Sequence, residues 1–272
     1  TMDRFRIALY RSYPQVANVI EKMVMAYSTI LKQSHINGVL EIEAFFGKIN
    51  YSTTGIHFDN ALPSTVVSQI THMLDAYTEW EEIQDWYMVY DYYVEKNRRI
   101  RVTYQDDHHT VNTIKKHHIL TMDLSYNCSS CNSIEEWALR DFITRINFKR
   151  EECEKNANIV QFTSMKISIR KTFTVPSQSL PHIKFKFELI QFWTGSTIQE
   201  VEDKILYISP TITLECEILH HEPHINILTE QEKFIMFSSL LLKMQDFMDL
   251  PVIYKDMAQK TQQYSTGTFT TI

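Results

Sequence analysis

The chain has 272 residues, a net charge of −6, 44% apolar residues and only five glycines. That length fits one large domain or two modest ones, and the negative balance excludes a general attraction to polyanions, so any anion site is local. No apolar run is long enough to span a membrane, no signal-peptide pattern opens the chain, and neither G-x-G-x-x-G nor G-x-x-x-x-G-K-[ST] occurs, which argues against Rossmann and P-loop phosphate sites.

In chain order, Pro14 to Gln33 places Val16, Val19, Ile20, Met23, Met25, Ala26, Ile30 and Leu31 at helical spacing. Residues 39–46, overlapping "LEIEAFFGKI" (Leu40 to Ile49), alternate as a strand. Pro63 to Trp80 opens with proline and hydroxyls and then carries Val66, Val67, Ile70, Met73, Leu74 and Tyr77, the pattern of a second helix. "WEEIQDWYMVYDYY", Trp80 to Tyr93, is aromatic and acidic. Its acidity argues against a base-stacking platform and favours cross-strand packing on a barrel exterior. "NRRIRVTYQD" and "TIKKHHI" read as strands. Ser133 to Glu136 could cap a helix through Trp137, Leu139 and Phe142, or the region is extended. "MKISIRKTF", "IKFKFELI" and "TITLECEIL" are further strands. "TEQE", Thr229 to Glu232, is a capping-box pattern ahead of Phe234, Ile235, Phe237, Leu240, Leu241 and Met244. With no repeat or Pro/Gly-rich linker, residues 1–258 read as one domain. The polar residues 259–272 read as a tail, or as the start of a linker to another domain.

In a strand, residues i and i+2 share a face. Glu41, Glu43 and Phe45 therefore lie opposite Leu40, Ile42, Ala44 and Phe46. Arg99, Arg101 and Thr103 lie opposite Ile100, Val102 and Tyr104. Lys166, Ser168, Arg170 and Thr172 oppose Ile167, Ile169 and Phe173. Lys184, Lys186 and Glu188 oppose Phe185, Phe187 and Leu189. Thr211, Thr213, Glu215 and Glu217 oppose Ile212, Leu214, Cys216 and Ile218. For one strand, a solvated sheet face is the simplest account. For the set, a closed antiparallel barrel of about eight strands with a charged interior fits better. Its apolar exterior would be covered by the amphipathic helices, an α+β architecture.

Two paired-carboxylate strands brought together repel by about 4 kcal/mol per like-charge pair at ~4 Å. They stay ionised only beside a cation or basic groups. All-oxygen ligands favour a hard divalent ion such as Mg²⁺ or Mn²⁺, and basic strands suit phosphate oxygens. Metal plus basic clamp is the apparatus of phosphoryl transfer to water.

Other motifs rank lower. Cys128, Cys131, Cys153 and Cys216 form no disulfide framework, and "CSSC" lacks the second pair a structural zinc needs; a reducing compartment is the default. "HHEPH" (His220, His221, His224) reads as a loop beside Pro223. "KKHH", Lys115 to His118, is either a solvated strand or part of the phosphate grip.

"LEIEAFFGKI" resembles the first glutamate strand of the triphosphate tunnel metalloenzymes, in the branch of metal-dependent RNA 5′-triphosphatases of fungi, protists and large DNA viruses, and "TLECEI" resembles their second. "IRVTYQD", "TIKKHHI" and "MKISIRKTFTVP" fall between them in the order of that family's basic strands. "FELIQFWTGSTIQEVEDKI" is similar to the segment before the last glutamate strand of viral capping enzymes. The resemblance spans roughly 39–219. It implies release of the γ-phosphate from 5′-triphosphate RNA, with Glu41, Glu43 and Glu217 as metal ligands and Glu215 aligning or deprotonating water. It also implies that Arg101, Lys116, Lys166, Lys184 and Lys186 grip phosphate, with Arg99 and Arg170 in lesser roles, and that Glu188 pairs with these bases or contacts the water. The family departs from this chain at Phe45 and Thr213, where it often carries charge, and in an acidic residue absent near Thr172. A capping guanylyltransferase is the implied partner, and the nucleus, or the cytoplasm for a viral protein, the implied location. Two alternatives remain: the same fold acting on tripolyphosphate or free nucleotides, and an inactive barrel serving as a protein-binding module.

Overall fold

The computed structural model describes residues 14–33, 37–125, 142–155, 158, 161–220 and 228–248. "CSSC", the alternative helix after Ser133, His221, His224 and the tail 259–272 lie outside the described residues. Nine strands are described: β1 (Val39–Ser52), β2 (Gly55–Asp59), β3 (Glu82–Glu95), β4 (Arg98–Gln105), β5 (His108–Ser125), β6 (Phe142–Lys155), β7 (Ser164–Pro176), β8 (Ile183–Gly195) and β9 (Thr211–His220). Four helices accompany them: α1 (Pro14–Lys32), α2 (Ser64–Ala76), α3 (Ile198–Tyr207) and α4 (Glu230–Met248).

The sheet runs β1-β6-β5-β4-β3-β7-β8-β9, every neighbouring pair antiparallel, and β9 returns to β1 to close an eight-stranded barrel. β2 stands outside the closure as a hairpin arm on β1. The arm turns at Gly55, whose φ of +134° is a conformation open to glycine.

The main core lies outside the barrel. Leu40, Ile42, Ala44 and Phe46 of β1 turn outward with Phe148 of β6, Phe185 and Phe187 of β8, and Leu214 and Ile218 of β9. Against them pack Ile20, Met23, Val24 and Tyr27 of α1, Val66, Ile70 and Leu74 of α2, and Phe234, Phe237, Leu240 and Met244 of α4. Burial of this order, ~1.5–3 kcal/mol per large apolar side chain, is what closes the barrel while its lumen stays charged. The reciprocal cap predicted at α4 forms: Thr229 Oγ1 accepts from Glu232 N–H (3.2 Å), and Glu232 Oε2 accepts from Thr229 N–H (2.7 Å).

Two helix expectations change. α2 ends at Ala76, short of Trp80, because Tyr77 is extended. The Trp80 indole turns back instead, donating to Leu74 O at 2.8 Å and packing on Phe173 and Phe187. α3 is an addition to the helices expected from periodicity. Thr197 caps it by accepting from Glu200 N–H at 3.2 Å. It seats Val201 on a second, smaller core of Tyr92, Ile100, Val102, Met165 and Ile167. Tyr90, stacked with Tyr92 at 6.4 Å and edge-on to Tyr104 at 5.4 Å, lies beside that outer core. No described helix is long and apolar enough to cross a membrane.

Candidate active site

The barrel closes where its first and last strands meet. Register places Glu43 directly opposite Glu217 and Phe45 opposite Glu215, with Glu41 two residues from Glu43 on the same lumenal face. Backbone geometry alone thus gathers four carboxylates from segments about 170 positions apart. The neighbouring strands supply ammonium groups. Lys116 Nζ of β5 donates to Glu41 Oε2 (2.6 Å) and Glu43 Oε1 (2.9 Å), and lies 3.2 Å from Glu151 Oε2. Lys149 of β6 also donates to Glu43, and Lys186 of β8 pairs with Glu217.

Titration of these acids follows from how the ammonium groups are shared. Burial pushes the Glu43 carboxyl up, but Lys116 and Lys149 more than reverse this and hold it at about 2. Glu41 must share Lys116 with Glu43 and Glu151. Burial, only partly offset by Lys116, and the two neighbouring acids push it up to about 8. Glu215 is pushed up to about 7, by burial first and then by Glu43 and Glu188. These are acids short of positive charge.

A basic wall faces the seam and is organised by Asp91 of β3, which is 0% exposed. Its carboxylate accepts from Arg101 Nε (2.7 Å) and Nη2 (2.9 Å), a bidentate pair. Arg99 Nε lies 3.3 Å away and Arg170 Nη2 3.5 Å away. Despite burial, Arg101 and then Arg99 and Lys166 hold the Asp91 carboxyl well below the ordinary range. Arg170 Nη1 also donates to Glu188 Oε2 (3.1 Å), and Tyr87 Oη donates to Glu188 Oε1 (2.7 Å). Glu188, opposed by burial, is held at about 2 by Arg170 and Lys186. Lys166 sits over the Phe192 ring at 4.9 Å. Burial and the charge of Arg170, only partly offset by Asp91, bring it down to about 8.

The lumen therefore has an acidic side on β1 and β9 and a basic side on β4 and β7, organised by Asp91 of β3 between them. Of the residues singled out from sequence, Glu41, Glu43, Glu215, Glu217, Lys116, Lys186 and Glu188 gather on or beside the first. Arg99, Arg101, Lys166 and Arg170 gather on the second. Lys116 sits among the acids and not on the basic wall. Lys184 joins neither group: at the start of β8 its ammonium pairs with Glu81 at 2.7 Å and is 38% exposed, at the barrel mouth.

Sequence reasoning missed Asp91, Lys149, Glu151 and Tyr87. The alternation Arg145, Asn147, Lys149, Glu151 against Ile146 and Phe148 carried the β6 signal. Asp91 stood among the aromatic residues of an acidic run, on a face that also holds Val89.

Among the described residues no three acidic, histidine or cysteine side chains converge as ligands for a metal ion. The donor set of Glu41, Glu43 and Glu217 nonetheless fits a hard divalent cation. It is all carboxylate, it shares one lumenal patch by register, and the ammonium of Lys116 already sits between two of its members.

No protein-family model and no curated protein matches the chain by sequence. By structure it is similar to the S. pombe RNA triphosphatase Pct1, at 14% identity and a TM-score of 0.58, over 87% of this chain and 93% of that one. More distant likenesses are to the Mimivirus capping enzyme triphosphatase (10% identity, TM-score 0.47, 86% and 98% covered) and to the RNA triphosphatase domain of the trifunctional mimivirus mRNA capping enzyme (14%, 0.46, 86% and 96%). The chain has the tunnel-barrel fold found in the S. pombe RNA triphosphatase.

Proposed function

We propose that the chain is a metal-dependent polynucleotide 5′-triphosphatase that hydrolyses the β–γ bond of 5′-triphosphate RNA, the first step of mRNA capping. The observation that carries this reading is the seam: Glu43 faces Glu217 inside a closed barrel whose opposite wall is an arginine cluster gathered on the buried Asp91. Glu41, Glu43 and Glu217 would hold Mg²⁺ or Mn²⁺, which when bound polarises the γ-phosphoryl oxygens. Arg101, Arg99 and Arg170, pre-set by Asp91, aim donors at phosphate oxygens and offset charge that grows on the leaving diphosphate end. Lys166 and Lys186 add to that field. Glu215, pushed up to about 7, is poised to hold the attacking water and take its proton near neutral pH. The diphosphate RNA end left behind suits a guanylyltransferase as the next enzyme.

The test is phosphate release from γ-labelled 5′-triphosphate RNA, ATP and tripolyphosphate, with Mg²⁺ or Mn²⁺ and with chelator. Metal-dependent release from RNA that disappears in Glu43→Ala is expected. Release from ATP and tripolyphosphate but not RNA would move the assignment to a nucleotide or polyphosphate hydrolase. No release from any of them, or equal release by Glu43→Ala, would reject the enzyme.

A further inference from the structure

We propose that the β1–β2 arm is a stacking surface for the 5′-terminal nucleoside of the RNA whose triphosphate enters the lumen; this rests on the triphosphatase reading. β1 pairs with β9 at Glu43 to Phe45, and further along at Lys48 to Ser52 it pairs with β2. The lumenal face of β1 therefore runs on past its join with β9. After Glu41, Glu43 and Phe45 it continues through Gly47, Ile49 and Tyr51, and register sets Phe58 opposite Ile49 and Ile56 opposite Tyr51. The charged face of the strand becomes apolar where its partner changes from β9 to β2, and Tyr51 and Ile56 are 70% and 68% exposed.

The inner end of this surface is built. A Cβ on Gly47 would lie 2.5 Å from Phe58 Cζ, so the Phe58 ring occupies the space left by the missing side chain. The ring also covers the guanidinium of Arg145, whose Cζ is 4.1 Å from its centroid. Arg145 is in turn fixed by Asp123, donating from Nε at 2.7 Å and Nη2 at 2.8 Å. A held cation under an aromatic ring at the entrance to a phosphate channel is complementary to a nucleotide, anionic at one end and flat at the other. Gly47 lies four residues from Glu43, ~13 Å along the strand, a span matching an extended triphosphate and its ribose. The surface offers flat apolar contact without a pattern of donors and acceptors, so it would accept any base.

Steady-state turnover of a 5′-triphosphate oligoribonucleotide is compared with that of tripolyphosphate, which has no nucleoside and serves as substrate or as competitor of RNA. The wild type, Phe58→Ala, and the exposed double variant Tyr51→Ser with Ile56→Ser are measured. Loss of stacking should raise KM for RNA about tenfold and leave the constants for tripolyphosphate unchanged. Unaltered KM for RNA in both variants, the result if the arm serves a protein partner or a second copy of the chain, overturns the proposal. So does an equal loss on both substrates. A wild type that releases phosphate from neither overturns the triphosphatase reading and this surface with it. A wild type active on both, with indifferent variants, overturns the surface alone.

Discussion

Replacing Asp91 with asparagine tests whether one buried carboxylate holds the basic wall. Asp91 accepts a bidentate pair from Arg101 and lies within 3.5 Å of Arg170 and 3.3 Å of Arg99. The amide introduced by Asp91→Asn keeps the shape, yet it accepts through one oxygen only and turns an N–H donor toward guanidinium donors. Breaking such a buried pair from one side costs about 3–5 kcal/mol, because the other charges are left uncompensated. Taking ~4 kcal/mol against an unfolding entropy of ~2.1 cal/mol/K per residue over 272 residues gives a fall in Tm of about 7 °C. Tripolyphosphate should restore more of the Tm in the variant than it adds to the wild type, since its oxygens replace the lost acceptor. The Asp91 pKa is depressed in the folded state, so its contribution is complete above the unfolded value of about 4 and is lost as pH falls further. The two proteins should therefore converge in acid. Differential scanning calorimetry with and without the anion measures all of this. A fall under about 2 °C, or one that tripolyphosphate leaves untouched, would refute Asp91 as the organiser of the wall.

Lys166 titrates near 8 in the fold, so KM for the triphosphate should rise above that pH and Lys166→Arg should flatten the rise. Stability moves the other way: the folded group releases its proton before the unfolded one at 10.5, so unliganded protein gains stability between pH 8 and 10.5; a Tm falling through that window in proportion to Lys166 ionisation would contradict it. Lys116→Met strips the ammonium from Glu41, Glu43 and Glu151. It should lower stability by ~3 kcal/mol and enlarge the Tm gain on adding Mn²⁺; an unchanged Mn²⁺ titration would count against a cation site there. Gly47→Ala drives its Cβ to 2.4 Å from Asp59 O and 2.5 Å from Phe58 Cζ. A cost of about 1–3 kcal/mol in denaturant unfolding is expected, and a neutral result would mean the arm is not packed on β1 as described.

Alternation made the barrel legible. Each of β1, β4, β7, β8 and β9 shows its lumenal face in the residue order, and the period of two cannot be mistaken for a helix over such lengths. The caps of α4 and α3 are both written as a hydroxyl followed three residues later by glutamate, but only "TEQE" precedes a long apolar stripe; α3 buries only Val201 well and so leaves little trace. The site was half legible. Glu41, Glu43, Glu215 and Glu217 stand in pairs, and pairing is visible. Asp91 works through partners on β4 and β7, and nothing local in "VYDYY" foretells that three arginines surround it. Lys184 shares a face with Lys186 but lies one step nearer the rim, where Glu81 from the loop before β3 captures it. Which lysine serves which acid depends on shear between strands, a property of closure and not of any one segment.

Among the described residues the join between β1 and β9 consists of three residue pairs, against ten between β1 and β6 and between β8 and β9. It is the shortest ladder in the barrel and unites stretches separated by most of the chain. Joining distant segments costs the most chain entropy and comes late in assembly. A polypeptide released before β9 is made, or one stalled short of its last pairing, would carry every basic strand and only half of the acids. Amide protection at Ala44 and Cys216 would then report, ahead of any assay of turnover, whether a given molecule has finished folding.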